Sequence, residues 1–150
     1  MKEEKRIYAV VAEKVSTPTK GEVIQVPGRM AAQAVHAVSR MKMNFLFGPY
    51  LGKANKKAMA EAQRVANEST TLIIKSCRDT KELLHTVNLV ANAKISACMF
   101  CDHNEEVYGP APATGIYTAF ATVPVTKEQV AGILDYLPLA FTDMVKKPVY

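Results

Sequence analysis

The chain has 150 residues and a mass of 16.4 kDa, with 49% apolar and 22% charged side chains, the composition of one ordinary globular domain rather than a disordered, collagen-like or disulfide-dominated chain. Nineteen Lys and Arg against fourteen Asp and Glu give +5, and the excess is uneven: residues 1–75 hold thirteen basic and six acidic groups, residues 76–150 six and eight. Cations concentrated in one half steer polyanions and gain affinity by counterion release, the alternative being a charge that serves only solubility.

The first apolar run, Ile7 to Ala12, is β-prone without a helical period, as expected for a strand buried on both faces. It is also shorter than a signal-peptide core, and no later run reaches the length of a membrane span, so neither export nor membrane insertion is expected. Residues 13–28 carry Pro18, Gly21, Pro27 and Gly28 among Ser and Thr and read as a long loop of the kind that often holds function. From Arg29 to about Phe47 the Ala, Met and Val content predicts a helix, broken by Gly48 and Pro49.

Arg29, Gln33, His36 and Arg40 are spaced four, three and four, so they share one face of that helix, with Ala31, Ala34, Val35, Val38 and Met41 towards the others. Its first turn offers free amides and a positive dipole end to an anion or a developing oxyanion. The competing readings are an ordinary solvated face and a structural histidine. Gly48 to Ala54 superficially resembles a phosphate loop, but it is one residue short, lacks the following Ser or Thr and follows a helix, so it is rejected.

A second helix is predicted over Lys53–Asn67, and between residues 29 and 64 Arg29, Arg40, Lys42, Lys53, Lys56, Lys57 and Arg64 face only Glu61, a balance that favours a phosphate backbone. Thr70 to Lys75 reads as a second strand, and Asp79 as the cap of a helix in which Leu83, Leu84, Val87, Val90 and Ala91 recur at spacings of three and four.

Ile95 to Cys101 reads as a third strand. Cys98 and Cys101 with His103 invite a metal or redox reading, but residues three apart on a strand point to opposite faces and no second ligand pair follows, so buried thiols are the expectation. Three cysteines are too few and odd in number for a disulfide framework, which points to a reducing, cytoplasmic compartment. Asp102 then ends the strand, where a carboxylate can accept a proton from water, and Thr114 offers a hydroxyl on the returning chain; the plainer reading is a hydrophilic hairpin loop. Ile116 to Val125 is the fourth strand, and Pro124 and Thr126 introduce a last helix through Leu137.

The order of elements predicts an α/β fold, a small mixed sheet with helices on both faces, whose ligands gather at the carboxyl ends of strands. No Gly-x-Gly-x-x-Gly, Gly-x-Ser-x-Gly or His-Glu-x-x-His occurs, which removes the commonest dinucleotide, serine-hydrolase and zinc-protease signals.

Gly28 to Ala37, with Arg29, Ala31-Ala32-Gln33 and His36-Ala37, resembles the motif of the archaeal and eukaryotic type of peptidyl-tRNA hydrolase, and it falls directly after the first strand, as in that family. The intervals from Asp102 to Pro110 and to Thr114 also resemble the family's. The resemblance covers about Ile7 to Leu137 and implies a four-stranded mixed sheet in a three-layer α/β/α arrangement. It implies hydrolysis of the ester between a peptide, or N-acyl-amino acid, and tRNA, with no metal or organic cofactor and a homodimeric state.

Carried over residue by residue, Arg29 stands for the family's lysine, and Gln33, Asp102 and Thr114 are the other catalytic members. His36, Arg40, Lys53, Lys56 and Lys57 would hold the tRNA. The chain departs from the family after Asp102, where His103-Asn104-Glu105-Glu106 replaces Ala-Gly-Arg-Thr. Two acids there would repel an RNA backbone, so the other expectation is a paralogue of the same fold that binds a protein or small ligand without acting on tRNA.

Overall fold

The computed structural model describes residues 4–46 and 70–141 and, between them, Lys56, Lys57, Ala60 and Arg64. β1 (Lys5–Ala12) is the centre of a mixed sheet. β4 (Thr71–Cys77) lies parallel to it, in register from Arg6 opposite Thr71 to Ala12 opposite Cys77. On its other side β6 (Ile116–Thr122) runs antiparallel, and β5 (Ala97–Asp102) pairs with β6 at the sheet edge, giving the order β4-β1-β6-β5.

The side chains of β1 alternate between two cores, as the period of two in a strand requires. Ile7, Ala9 and Val11 pack with Met30, Ala34, Ala37 and Met41 of α1 (Pro27–Met41). Tyr8, Val10 and Ala12 pack with Leu83 and Val90 of α2 (Thr80–Asn92). Each fully buried aliphatic or aromatic side chain in these cores contributes about 1.5–3 kcal/mol relative to exposure. α1 starts where Pro27 supplies a preset φ at a position whose N–H would be unpaired anyway. α2 is capped by Asp79, whose carboxylate accepts the Glu82 amide at 2.9 Å.

Several elements differ from expectation. The segment read as a loop over 13–28 is largely a hairpin of β2 (Lys14–Thr17) and β3 (Gly21–Ile24), with Val15 buried and opposite Val23. α1 ends at Met41 and passes into a π-turn over Lys42–Leu46, and Phe47 lies outside the described residues. Of the expected helix over 53–67, Lys56, Lys57, Ala60 and Arg64 are helical, and the rest, Lys53 included, lies outside the described residues.

A short α3 (Glu105–Tyr108) occupies what was read as plain loop. The fourth strand stops at Thr122, because Pro124 has no N–H to continue the ladder; β7 (Val125–Thr126) resumes against Lys5 and Arg6, so the expected four-stranded sheet gains a fifth member. The expected last helix is a 3-10 turn (Glu128–Val130) followed by turns, since Gly132 adopts φ +76°, outside the helical region.

Beyond it, the Pro138 carbonyl accepts the Ser76 amide at 3.0 Å and the Ala140 amide donates to Ile74 at 2.9 Å, covering the open edge of β4. Among the described residues no helix is long and apolar enough to cross a membrane.

Candidate active site

The carboxyl end of β5, the second turn of α1 and α3 converge on one buried polar side chain, Gln33, which is 2% exposed. Its amide nitrogen donates to Asp102 Oδ2 at 2.6 Å and lies 3.4 Å from the Tyr108 hydroxyl. Its amide oxygen accepts from the Thr118 hydroxyl at 3.2 Å. Tyr108 in turn donates to Gln25 Oε1 at 2.8 Å, and Gln25 Nε2 donates to the Ala12 carbonyl at 2.8 Å.

The donors in this chain all run one way. Gln25 fixes its amide on a backbone carbonyl, so its oxygen must accept; Tyr108 must therefore give its proton to Gln25 and can only accept from Gln33. Both N–H groups of Gln33 are thereby directed at Tyr108 and Asp102. The Asn104 amide donates to the other carboxylate oxygen of Asp102 at 3.0 Å. Asp102 thus accepts a hydrogen bond at each of its oxygens. Tyr108 is held neutral, its pKa pushed up to about 12 by burial and by the Asp102 charge, with Arg29 and the Gln33 hydrogen bond opposing.

Thr118 reaches Gln33 through a defect in the sheet. The pairing shifts between Phe100 and Cys101, from Phe100 opposite Ala119 to Cys101 opposite Tyr117, so Thr118 is the extra residue of a β-bulge. Bulges re-aim side chains, and here the freed threonine is buried beside α1.

The polar stripe read from the spacing divides in the structure. Gln33 belongs to the buried face of α1 with Met30, Ala34, Ala37 and Met41, whereas Val35 is 59% exposed. Arg29 is partly exposed one turn before Gln33, and its charge reaches Tyr108. His36 is exposed and stacks on Phe100 of β5, with ring centroids 4.8 Å apart, and the Arg40 guanidinium lies 5.6 Å from the same ring. These three residues, with Ser39, Met43 and Asn44, line an open groove of about 470 Å³. A second cavity, of about 500 Å³, takes Gln25, Pro27 and Met30 into its wall at the start of α1.

Thr114 is exposed in the turn before β6, outside the hydrogen-bonded set around Gln33. Lys56 and Lys57 are exposed. Cys98 and Cys101 are partly buried free thiols on edge strand β5, and burial pushes the Cys101 thiol up. Among the described residues no group of three or more His, Cys, Asp or Glu is gathered for a metal ion.

No protein-family model and no curated protein matches the chain.

Gln25, Tyr108 and Thr118 complete the site and were not visible as candidates in the sequence. The available signal was Thr118 itself, a hydroxyl among apolar residues of a strand read as buried, where a polar atom needs a partner.

Proposed function

We propose that the chain hydrolyses the ester between a peptide, or N-acyl-amino acid, and the 3′ end of tRNA. The observation that carries this reading is the 2.6 Å contact between Gln33 and Asp102, which holds an acceptor carboxylate at a strand's carboxyl end beside the opening turns of α1. The likeness of Gly28 to Ala37 to the peptidyl-tRNA hydrolase motif supports it, as does the sheet order with its parallel β1–β4 pair. On this reading the fold is the three-layer α/β/α arrangement of the second peptidyl-tRNA hydrolase type, the protein works as a cytoplasmic homodimer, and no cofactor takes part.

In the proposed reaction Asp102 accepts a proton from a water molecule as its oxygen attacks the ester carbonyl. Val26 makes no side-chain hydrogen bond to the first turn of α1 and a Cβ at Gly28 would meet nothing within 4 Å, and in the proposed reaction the free amides of that turn and the Arg29 guanidinium stabilise the tetrahedral oxyanion. The carbon–oxygen bond to the ribose then breaks, and the departing 3′ oxygen takes up the proton. Gln33 positions Asp102, and Thr114 on the returning turn orients water or substrate. His36 and Arg40 in the groove, with Lys53, Lys56 and Lys57, hold the tRNA strand.

A second reading, a paralogue that binds a protein or small ligand without hydrolysis, is favoured by one observation: Glu105 and Glu106 are exposed on α3, three and four residues after Asp102. One experiment separates the two. Release of N-acetyl-amino acid from N-acetyl-aminoacyl-tRNA is measured for the wild type and for Asp102→Ala. Turnover that falls by about 100-fold or more in the variant, with tRNA affinity retained, supports the hydrolase; turnover undiminished in Asp102→Ala removes the mechanism, and none in the wild type selects the binding paralogue.

A further inference from the structure

At the opposite end of β1 from Gln25 and Asp102, a cavity of about 290 Å³ opens between β1, β4 and the turns after β7. Its lining is Arg6, Tyr8, Ile73, Lys75, Lys127, Val130, Asp135 and Leu139. Three cationic side chains thus face one carboxylate. That carboxylate is partly committed, since Asp135 Oδ1 accepts the Gly132 amide at 2.8 Å.

Two of the cations have donors to spare. Arg6 Nε is buried, and it is the one buried side-chain nitrogen or oxygen among the described residues that has no hydrogen-bond partner. Among the described residues its guanidinium is otherwise held only by a 3.7 Å contact between Nη2 and exposed Glu4. Lys75 Nζ donates to the Leu137 carbonyl at 2.9 Å, which orients the ammonium and leaves two of its three N–H groups. Burial lowers the Lys75 pKa, with Asp135 opposing, the signature of a cation whose hydration is incomplete. Lys127 follows β7, whose pairing with Lys5 and Arg6 fixes it beside the cavity.

A buried guanidinium nitrogen without an acceptor has lost its hydration with nothing in return, so a fold that keeps one beside two lysines is arranged for an acceptor supplied from outside. Guanidinium and ammonium groups converging on a small volume match the geometry and charge of a phosphate. Ile73, Val130 and Leu139 add an apolar wall, and the volume lies at the small end of the range for ligand pockets, about 300 Å³ upward.

We propose that this cavity is a binding site for a small phosphate or phosphomonoester, held by Arg6, Lys75 and Lys127 and separate from the site at Asp102. Tyr8 and Val130 belong to the α2 core, whereas α1, which carries Gln33, packs on the other face of β1.

The test is isothermal titration of inorganic phosphate into the full chain, against chloride at matched ionic strength. Saturable binding of one phosphate is expected, weakened about tenfold or more in Lys127→Glu and in Lys75→Met, from the loss of one charge-assisted hydrogen bond in each. Lys127 is exposed, so that variant should melt like the wild type. Phenyl phosphate binding more tightly than inorganic phosphate would identify an organic phosphate seated on the apolar wall, and equal affinities a free phosphate.

The proposal is overturned by phosphate heats no larger than those of chloride. It is equally overturned if both variants retain wild-type affinity, or if affinity is lost in Arg40→Ala instead, which would assign the anion to the groove beside Phe100.

Discussion

Gln33 is the residue on which the polar site turns, because it joins Asp102, Tyr108 and Thr118 by its own hydrogen bonds. In Gln33→Ala the carboxylate loses a 2.6 Å donor and Tyr108 loses its orienting neighbour, so kcat for the proposed ester hydrolysis should fall about 10- to 100-fold with little change in KM. Tyr108→Phe is a subtler change: it leaves Gln25 Oε1 buried without its 2.8 Å donor and should lower unfolding stability by about 1–3 kcal/mol in urea titrations. A Tyr108→Phe protein as stable as the wild type would show that this hydrogen-bond chain carries no weight. Of these groups the helical spacing exposed Gln33, and the strand end exposed Asp102. Tyr108 and Thr118 were hidden because their partners lie 83 and 85 residues away in sequence, and contacts of that range leave no local period. The same limit left the burial of Gln33 and the exposure of Val35 unread, since a four-three-four spacing defines a face of the helix without saying which face the sheet covers.

At the scale of elements, the strands β1, β4 and β5 and the helices α1 and α2 were legible because their patterns are long and unbroken. The hairpin of β2 and β3 was not, because two four-residue strands around Pro18 and Gly21 carry more turn signal than strand signal. That hairpin serves the site directly. Its tip reaches α3, where Lys20 Nζ donates to the Glu106 carbonyl at 3.0 Å, and it meets Gly109, the residue that ends α3. Gly109 has φ +74° and ψ −173°, a region open essentially to glycine, and a Cβ there would lie 2.5 Å from Thr19 Oγ1. Gly109→Ala should therefore lower stability by about 1–3 kcal/mol and shift α3, with Tyr108, away from Gln33. The expected readout is an earlier melting transition together with reduced ester hydrolysis. A variant with wild-type melting and turnover would mean that the hairpin tip does not hold α3 in place.

Across the whole molecule, β1 separates two cores, and the two groups most displaced in proton affinity, Cys77 and Tyr108, belong to the same one, on the side of α2. Cys77, at the end of β4 in the α2 core, is pushed up to about 12 by burial and by the carboxylates of Glu82, Asp79 and Glu13, and Tyr108 is pushed up to about 12 chiefly by burial. Burial raises the Cys101 thiol as well. Each of these groups keeps its proton in the fold at a pH where the unfolded chain, titrating near 9.0 for Cys and 10.0 for Tyr, has released it. The folded state then binds more protons than the unfolded state, so stability falls as pH rises through the unfolded values towards about 12. Lys75 works against this trend just below its ordinary 10.5, because burial lowers its pKa and the unfolded chain holds the extra proton there. Three raised groups against one lowered group predict a net loss of stability towards the alkaline end of the range. The decline should begin near pH 9, ahead of the tyrosine step, because the thiols titrate first in the unfolded chain. Urea midpoints measured at intervals from neutrality upward should show this onset. Cys77→Ala, which removes the most buried thiol, should delay it and flatten the first part of the slope; an onset and slope identical to the wild type would assign the alkaline sensitivity to groups other than Cys77.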